Sequence, residues 1–173
     1  TVCYLMGSRY CDAGAFQNFV NESFGALSGG AKVDAMRQWI ADNLSYQPGA
    51  SDANTTAQDS FVRRAGVCRD YAHLMIAMAR AAAIPARMVS VYAPHVAPQD
   101  FHAVAQLYLA DANGKGGWHF VDATGMAQAQ DIALIGVGRD AADIAFMTVY
   151  GMAVFCEQVV GGAILYSRPP TTR

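Results

Sequence analysis

The sequence predicts an α+β domain, with helices in its first half and strands in its second. Three observations carry this. Val33, Met36, Ile40 and Leu44 recur at helical spacing. The run from Tyr71 to Ile84 is apolar on every side, as expected of a buried helix. From Arg87 onward the pattern turns to β-branched runs and alternation, which read as strands. Helices followed by strands, rather than interleaved with them, indicate α+β and not a parallel α/β sheet.

In chain order, Val2 to Met6 is an apolar stretch that reads as a strand, and Gly29-Gly30 ends a mixed lead-in. A helix is predicted from about Lys32 to Leu44. The stretch from Tyr46 to Asn54 is a loop by composition. Thr55 or Thr56 then caps a short helix that runs to about Arg64. Cys68 opens the apolar helix, which Pro85 stops. Arg87 to Ala93 is a strand, and His95 to Asp100 is a loop. In Phe101 to Leu109, the residues Phe101, Ala103, Ala105, Leu107 and Leu109 share one face, and His102, Val104, Gln106 and Tyr108 the other. Asn113-Gly114 marks a turn, and Gly117 to Asp122 is the return strand. A Gly-punctuated loop to about Asp140 precedes two further strands, over 144–150 and 153–166. The domain expectation is a lead-in over 1–30, one catalytic unit over 31–166 and a tail over 167–173.

The chain has 173 residues, 53% of them apolar, enough for one well-cored domain. Its formal net charge is −2, and Lys32 and Lys115 are its only lysines. A phosphate-binding face needs clustered cations, so no nucleic-acid partner is expected. No apolar run is long enough to span a membrane, and no membrane partner is expected. Cys3, Cys11, Cys68 and Cys156 form no Cys-x-x-Cys pair, which fits a reducing, cytoplasmic setting. No two histidines share a helix at metal-binding spacing, so neither a metal nor a cofactor is expected. The chain does not begin with Met, and it is expected to be a fragment of a longer protein.

Cys68 is the first candidate for chemistry. A helix start offers unpaired N–H groups and a partial positive charge, both of which favour a thiolate and could receive an oxyanion. Position alone leaves a buried core cysteine equally open. The hairpin adds a second observation. If Ala110 to Gly114 form its loop, Leu109 faces Lys115, Gln106 faces Trp118, Val104 faces Phe120 and His102 faces Asp122. Opposed residues share a face, which places an imidazole beside a carboxylate. Such a pair makes a general base, and it also makes a plain structural ion pair.

The motifs decide between these readings. Gly66-Val-Cys-Arg-Asp-Tyr-Ala-His-Leu74, Ala79-Arg-Ala-Ala-Ala-Ile-Pro-Ala-Arg87, Phe101-His-Ala103 and Gly117-Trp-His-Phe-Val-Asp-Ala-Thr124 resemble the nucleophile, helix-end, histidine and aspartate motifs of transglutaminase-like cysteine enzymes. Gly138-Arg-Asp-Ala-Ala-Asp-Ile-Ala-Phe146 resembles a further segment of bacterial members, so the likeness covers about residues 32–150. Ser8-Arg-Tyr-Cys11 resembles the end of an upstream β-rich domain. The sequence departs from the family at Val104, where Trp is frequent, and at Gln106, Ala123 and Ala83.

The resemblance implies a papain-like core in which a buried helix carrying the cysteine packs on an antiparallel sheet or open barrel. It implies Cys68 as nucleophile, His102 as general base and Asp122 as the group that orients it. The implied reaction is acyl transfer at an amide of a peptide or protein through a thioester, ending in hydrolysis. Transfer to an amine, as in a crosslinking transglutaminase, is the alternative, and a silent binding module on the same fold is the other. Tyr46, Val104 and Trp118 are candidate substrate contacts, with Phe120 on the same wall. Packing is the competing role for Tyr46. His73 reads as a hydrogen-bonded core residue, and Arg139, Asp140 and Asp143 as a buried ionic anchor.

Overall fold

A computed structural model describes residues 1–152, 154, 156–157 and 159–161 of the chain. Its helices are α1 (Gln17–Phe24), α2 (Gly29–Asn43), α3 (Ala57–Arg63) and α4 (Cys68–Ala81), and its strands β1 (Ser45–Tyr46), β2 (Ala65–Gly66), β3 (Ala86–Tyr92), β4 (Phe101–Ala110), β5 (Gly116–Val121) and β6 (Ala133–Gly138). Helix α2 buries Val33, Met36 and Ile40, the stripe that the spacing predicts. Helix α3 starts at Thr56, whose hydroxyl accepts from Asp59 N–H while the Asp59 carboxylate accepts from Thr56 N–H. It stops at Arg64, which turns left-handed at φ 57°.

Helix α4 is the centre of the molecule. Leu74, Met75, Ile76 and Met78 are fully buried. Burying each such side chain contributes about 1.5–3 kcal/mol, so this helix anchors the core. It packs on the face of β4 that carries Ala103, Ala105 and Leu107. Phe16, Val20 and Phe24 close the same core from the chain's beginning, so the lead-in is packed into the domain.

The larger sheet has the order β5-β4-β3-β6, and each neighbouring pair is antiparallel. Its other face buries a smaller cluster of Val89, Val91 and Val104, joined by Phe120, Met126 and Ile132. Both faces of β4 are therefore covered. The two-stranded ladder of β1 and β2 is parallel and brings Tyr46 beside Gly66, just ahead of Cys68.

Several expectations need correction. The hairpin pairs Ala110 with Gly116 and Leu109 with Gly117, not with Lys115, so the register lies two residues from the predicted one. Val2–Tyr4 forms one 3₁₀ turn, not a strand. Among the described residues no strand pairs with it, and the Tyr4 carbonyl accepts from Arg80 Nε instead. Residues 144–150 form no strand. A strand, β6, occupies part of the stretch read as a Gly-punctuated loop. Its glycine at 138 has a packing cause. A Cβ there would lie 2.6 Å from Asp143 Cβ and 2.8 Å from Ile144 Cγ2 in the turn folded against it. The strand expected over 153–166 falls for the most part outside the described residues.

Candidate active site

Cys68 is the first residue of α4, and Val67 caps the helix in an extended conformation. The helix start is held by Asp70, a fully buried carboxylate. Its Oδ2 accepts from Val67 N–H at 2.8 Å and from the Ser51 hydroxyl. Its Oδ1 pairs with Arg69 Nη2 at 3.0 Å. Gly66 is required next to it, because a Cβ there would lie 2.6 Å from Asp70 Cβ. One buried side chain thus fixes both the turn that leads into Cys68 and the loop over 47–54.

His102 enters from β4, with its side chain 1% exposed, and Asp122 follows β5, with its side chain 6% exposed. Nε2 of the imidazole lies 3.0 Å from Asp122 Oδ2. Cys68 lies near enough to the same ring to raise its pKa. Burial disfavours the imidazolium. The hydrogen bond to Asp122, and the charges of Asp122 and Cys68, outweigh it and raise the His102 pKa from 6.5 to about 9. Burial also opposes the Asp122 carboxylate. Its hydrogen bond to His102, the charge of the ring, and donors from Thr124 and Ala127 hold its pKa below the ordinary value.

Tyr46 reaches the site from the other side. Its phenol lies near enough to the Cys68 backbone N–H and thiol for both to shift its pKa. Burial and the neighbouring Cys68 push the phenol up to about 12, so it stays protonated at neutral pH. Its ring also packs beside Tyr71, with centroids 6.0 Å apart.

The other candidates lie elsewhere. Val104 is 1% exposed and belongs to the small cluster on the far face of the sheet, as does Phe120. Trp118 is held at the turn end of the hairpin. The Arg87 guanidinium sits 3.9 Å over its ring, and Tyr4 and Tyr108 meet its edges. Gln106 accepts from that same Arg87. These side chains stabilise the hairpin and do not line the cleft.

His73 is fully buried and stacked on Tyr10, with centroids 5.0 Å apart. Its Nε2 accepts from Ala141 N–H at 3.2 Å. Burial and the Arg69 charge lower its pKa to about 4, so the ring is neutral. Arg139 and Asp143 form an exposed ion pair at 2.9 Å, which corrects the expectation of a buried one. The buried member of that group is Asp140, which accepts from Tyr10 N–H and Ala142 N–H.

A cleft of about 900 Å³ opens beside Cys68 and His102. Sequence reasoning missed much of its wall. Ser51, Asp52 and Ala53 come from the loop before α3, Tyr10 from the lead-in, and Phe101, Phe146 and Met147 from the sheet side. It also missed Thr124, whose N–H and hydroxyl donate to Asp122 Oδ1 at 2.9 and 2.7 Å. The spacing Asp122-Ala-Thr124, a side chain bonding two residues onward, was the available signal.

Residues 18–123 match the model of the Transglutaminase-like superfamily. The chain belongs to this superfamily. The uncharacterized protein ML0607 of Mycobacterium leprae is 30% identical over 119 residues, which are 65% of this chain and 42% of that protein. Among solved structures, a "Putative Cysteine Protease" from Cytophaga hutchinsonii superposes with a TM-score of 0.82 at 39% identity. The match covers 87% of this chain and 51% of that one. The periplasmic domain of TgpA from Pseudomonas aeruginosa gives a TM-score of 0.52 at 26% identity, over 70% of this chain and 45% of that one. This transglutaminase-like chain therefore spans about half the length of these relatives. Family membership and these neighbours support the papain-like α+β fold and a cysteine-dependent enzyme.

Proposed function

We propose that this domain hydrolyses peptide-like amides, with Cys68 as nucleophile. The observation that carries the proposal is the buried His102 ring at the cleft, whose Nε2 lies 3.0 Å from Asp122 Oδ2, with Cys68 near enough to raise its pKa. A histidine raised to about 9 is an imidazolium at neutral pH, the partner that a thiolate needs.

The thiolate attacks the amide carbonyl, and the C=O electron pair moves onto oxygen. The Tyr46 hydroxyl, which stays protonated, is a donor near the sulfur for that oxyanion. When the oxyanion collapses, the C–N bond breaks and His102 gives its proton to the departing amine. A thioester remains. Water then attacks it with His102 taking the proton, the C–S bond breaks, and a carboxylic acid leaves. Asp122 keeps the ring oriented and offsets its charge in both halves.

The test is turnover of a fluorogenic peptide-amide library, with and without an added primary amine, followed by intact-mass detection of an acyl adduct on the protein. Hydrolysis with an adduct that disappears in Cys68→Ala is expected. An amide product formed in preference to the acid would assign amine transfer. Turnover that survives Cys68→Ala would refute the assignment of the nucleophile.

A further inference from the structure

The cleft beside Cys68 has two unlike walls. The helix side is polar, with Ser51, Asp52 and Arg69, and the sheet side is mostly apolar, with Met88, Phe101, Ile144, Phe146 and Met147 beside Ser90 and Asp100. Phe101 directly precedes His102, and Phe146 lies beyond the turn closed by Arg139 and Asp143. Their rings stack with centroids 5.8 Å apart and planes 28° apart. Even so, Phe101 is 38% exposed and Phe146 is 63% exposed. Neither belongs to a core cluster, so neither ring is there to hold the fold together. A second, smaller depression shares Ser90, Phe101, Ile144 and Phe146 and continues to Ile135 on β6, an edge strand of the sheet. The apolar surface is thus continuous from the His102 side of the cleft to the sheet edge. Exposed apolar surface of this kind, concave and joined to a reactive centre, is the form that a side-chain subsite takes.

We propose that Phe101 and Phe146 form a specificity subsite that selects amides with a large apolar group, aromatic above all, next to the scissile bond. This rests on the assignment of Cys68 as nucleophile. The two rings offer faces and edges for a third ring, an arrangement that aromatic groups favour beyond the area they bury. The loss of even small apolar contacts in such a pocket changes discrimination by about tenfold or more.

The test uses two neutral alkylating reagents, N-benzyl- and N-(2-hydroxyethyl)-iodoacetamide, on the full chain. In each, the Cys68 thiolate sulfur bonds to the methylene carbon and iodide leaves. Rates at Cys68 are read by peptide mass mapping and divided by rates on a free thiol. The expected result is a benzyl preference of about tenfold in wild type. It should fall severalfold in Phe146→Ala and be largely restored in Phe146→Leu, with melting unchanged. A preference no larger than that of the free thiol would overturn the subsite, as would one that Phe146→Ala leaves intact. The ratio is read whatever the absolute rate. A Cys68 that reacts no faster than exposed Cys3 and Cys156 therefore fails the nucleophile reading, while the ratio still decides the subsite.

Discussion

Asp122→Asn places a donor where the structure asks only for acceptors. Oδ1 of Asp122 accepts from Thr124 N–H at 2.9 Å, and Oδ2 accepts from Ala127 N–H at 2.8 Å and meets His102 Nε2 at 3.0 Å. An amide has one acceptor oxygen and one NH₂ group. With the oxygen toward Thr124, the NH₂ meets Ala127 N–H; turned round, it meets Thr124 N–H. Either way a shielded backbone donor loses its acceptor, at about 1–3 kcal/mol. A second loss comes from His102. Its pKa of about 9, against 6.5 unperturbed, is sustained against burial by Asp122 and Cys68 together. Assigning roughly half of that rise to Asp122, at about 1.4 kcal/mol per pKa unit, gives about 1–2 kcal/mol. The sum is about 2–5 kcal/mol out of a typical 5–15 kcal/mol, or a fall in Tm of about 5–15 °C for a domain of this size. The sign follows from linkage. A histidine raised on folding contributes fully below pH 6.5, and the contribution is lost as pH rises through about 9. The gap between wild type and variant should therefore be widest below pH 6.5 and shrink to the amide mismatch above pH 9. Calorimetric melts from pH 5 to 10, with His102 titrated by NMR, measure both parts. A gap that does not change with pH, or a variant His102 that still titrates near 9, would refute the reasoning.

Cys68→Ser should abolish turnover yet melt within a few degrees of wild type, because it lies at the mouth of α4 and changes little volume. Loss of fold in a melt would make Cys68 a core residue instead. Met75→Asp should destabilise by several kcal/mol and leave little folded protein by circular dichroism, since Met75 is fully buried among apolar side chains. Asp70→Ala should cost about 2–4 kcal/mol, because it frees Val67 N–H and strands the Ser51 hydroxyl and Arg69. It should also slow alkylation of Cys68, and an unchanged rate would show that the helix start holds its place without the carboxylate.

Helices α2, α3 and α4 were legible because each has its own local signal, whereas α1 lay unread in the mixed lead-in. The α2 stripe, the Thr56 cap and the all-round apolar run of α4 depend on spacing within a few residues. The misread elements depend on distant partners. Val2–Tyr4 has strand composition but meets Arg80 and Trp118 instead of another strand. Strand β6 carries glycines that look like loop punctuation, and Gly138 is there because the 139–144 turn folds onto it. The polar wall of the cleft was invisible for the same reason. Ser51 gains its meaning from Asp70, 19 residues away, and Tyr10 from Asp140, 130 residues away. No periodicity joins such pairs.

The hairpin shows why a local error left the meeting of His102 and Asp122 intact. Sequence reasoning counted a five-residue loop anchored on Asn113-Gly114, and the loop is indeed bounded by the Ala110–Gly116 pair. Its position was set by a side chain that the count ignored. Asp111 Oδ1 accepts from Asn113 N–H at 2.8 Å and from Lys115 N–H at 2.9 Å. These bonds draw Asp111 and Lys115 into the loop and slide it by one residue. Sliding a loop of fixed length by one shifts every cross-strand pair by two. Side chains alternate with period two, so a shift of two preserves the face, where a shift of one would invert it. His102 and Asp122 become diagonal neighbours instead of opposed ones, a separation that long side chains still bridge. Asp122 lies just past the end of β5, where Thr124 and Ala127 N–H groups aim its carboxylate back at the ring. The pairing therefore depends on the parity of the hairpin and on the turn that follows β5, and only weakly on its register.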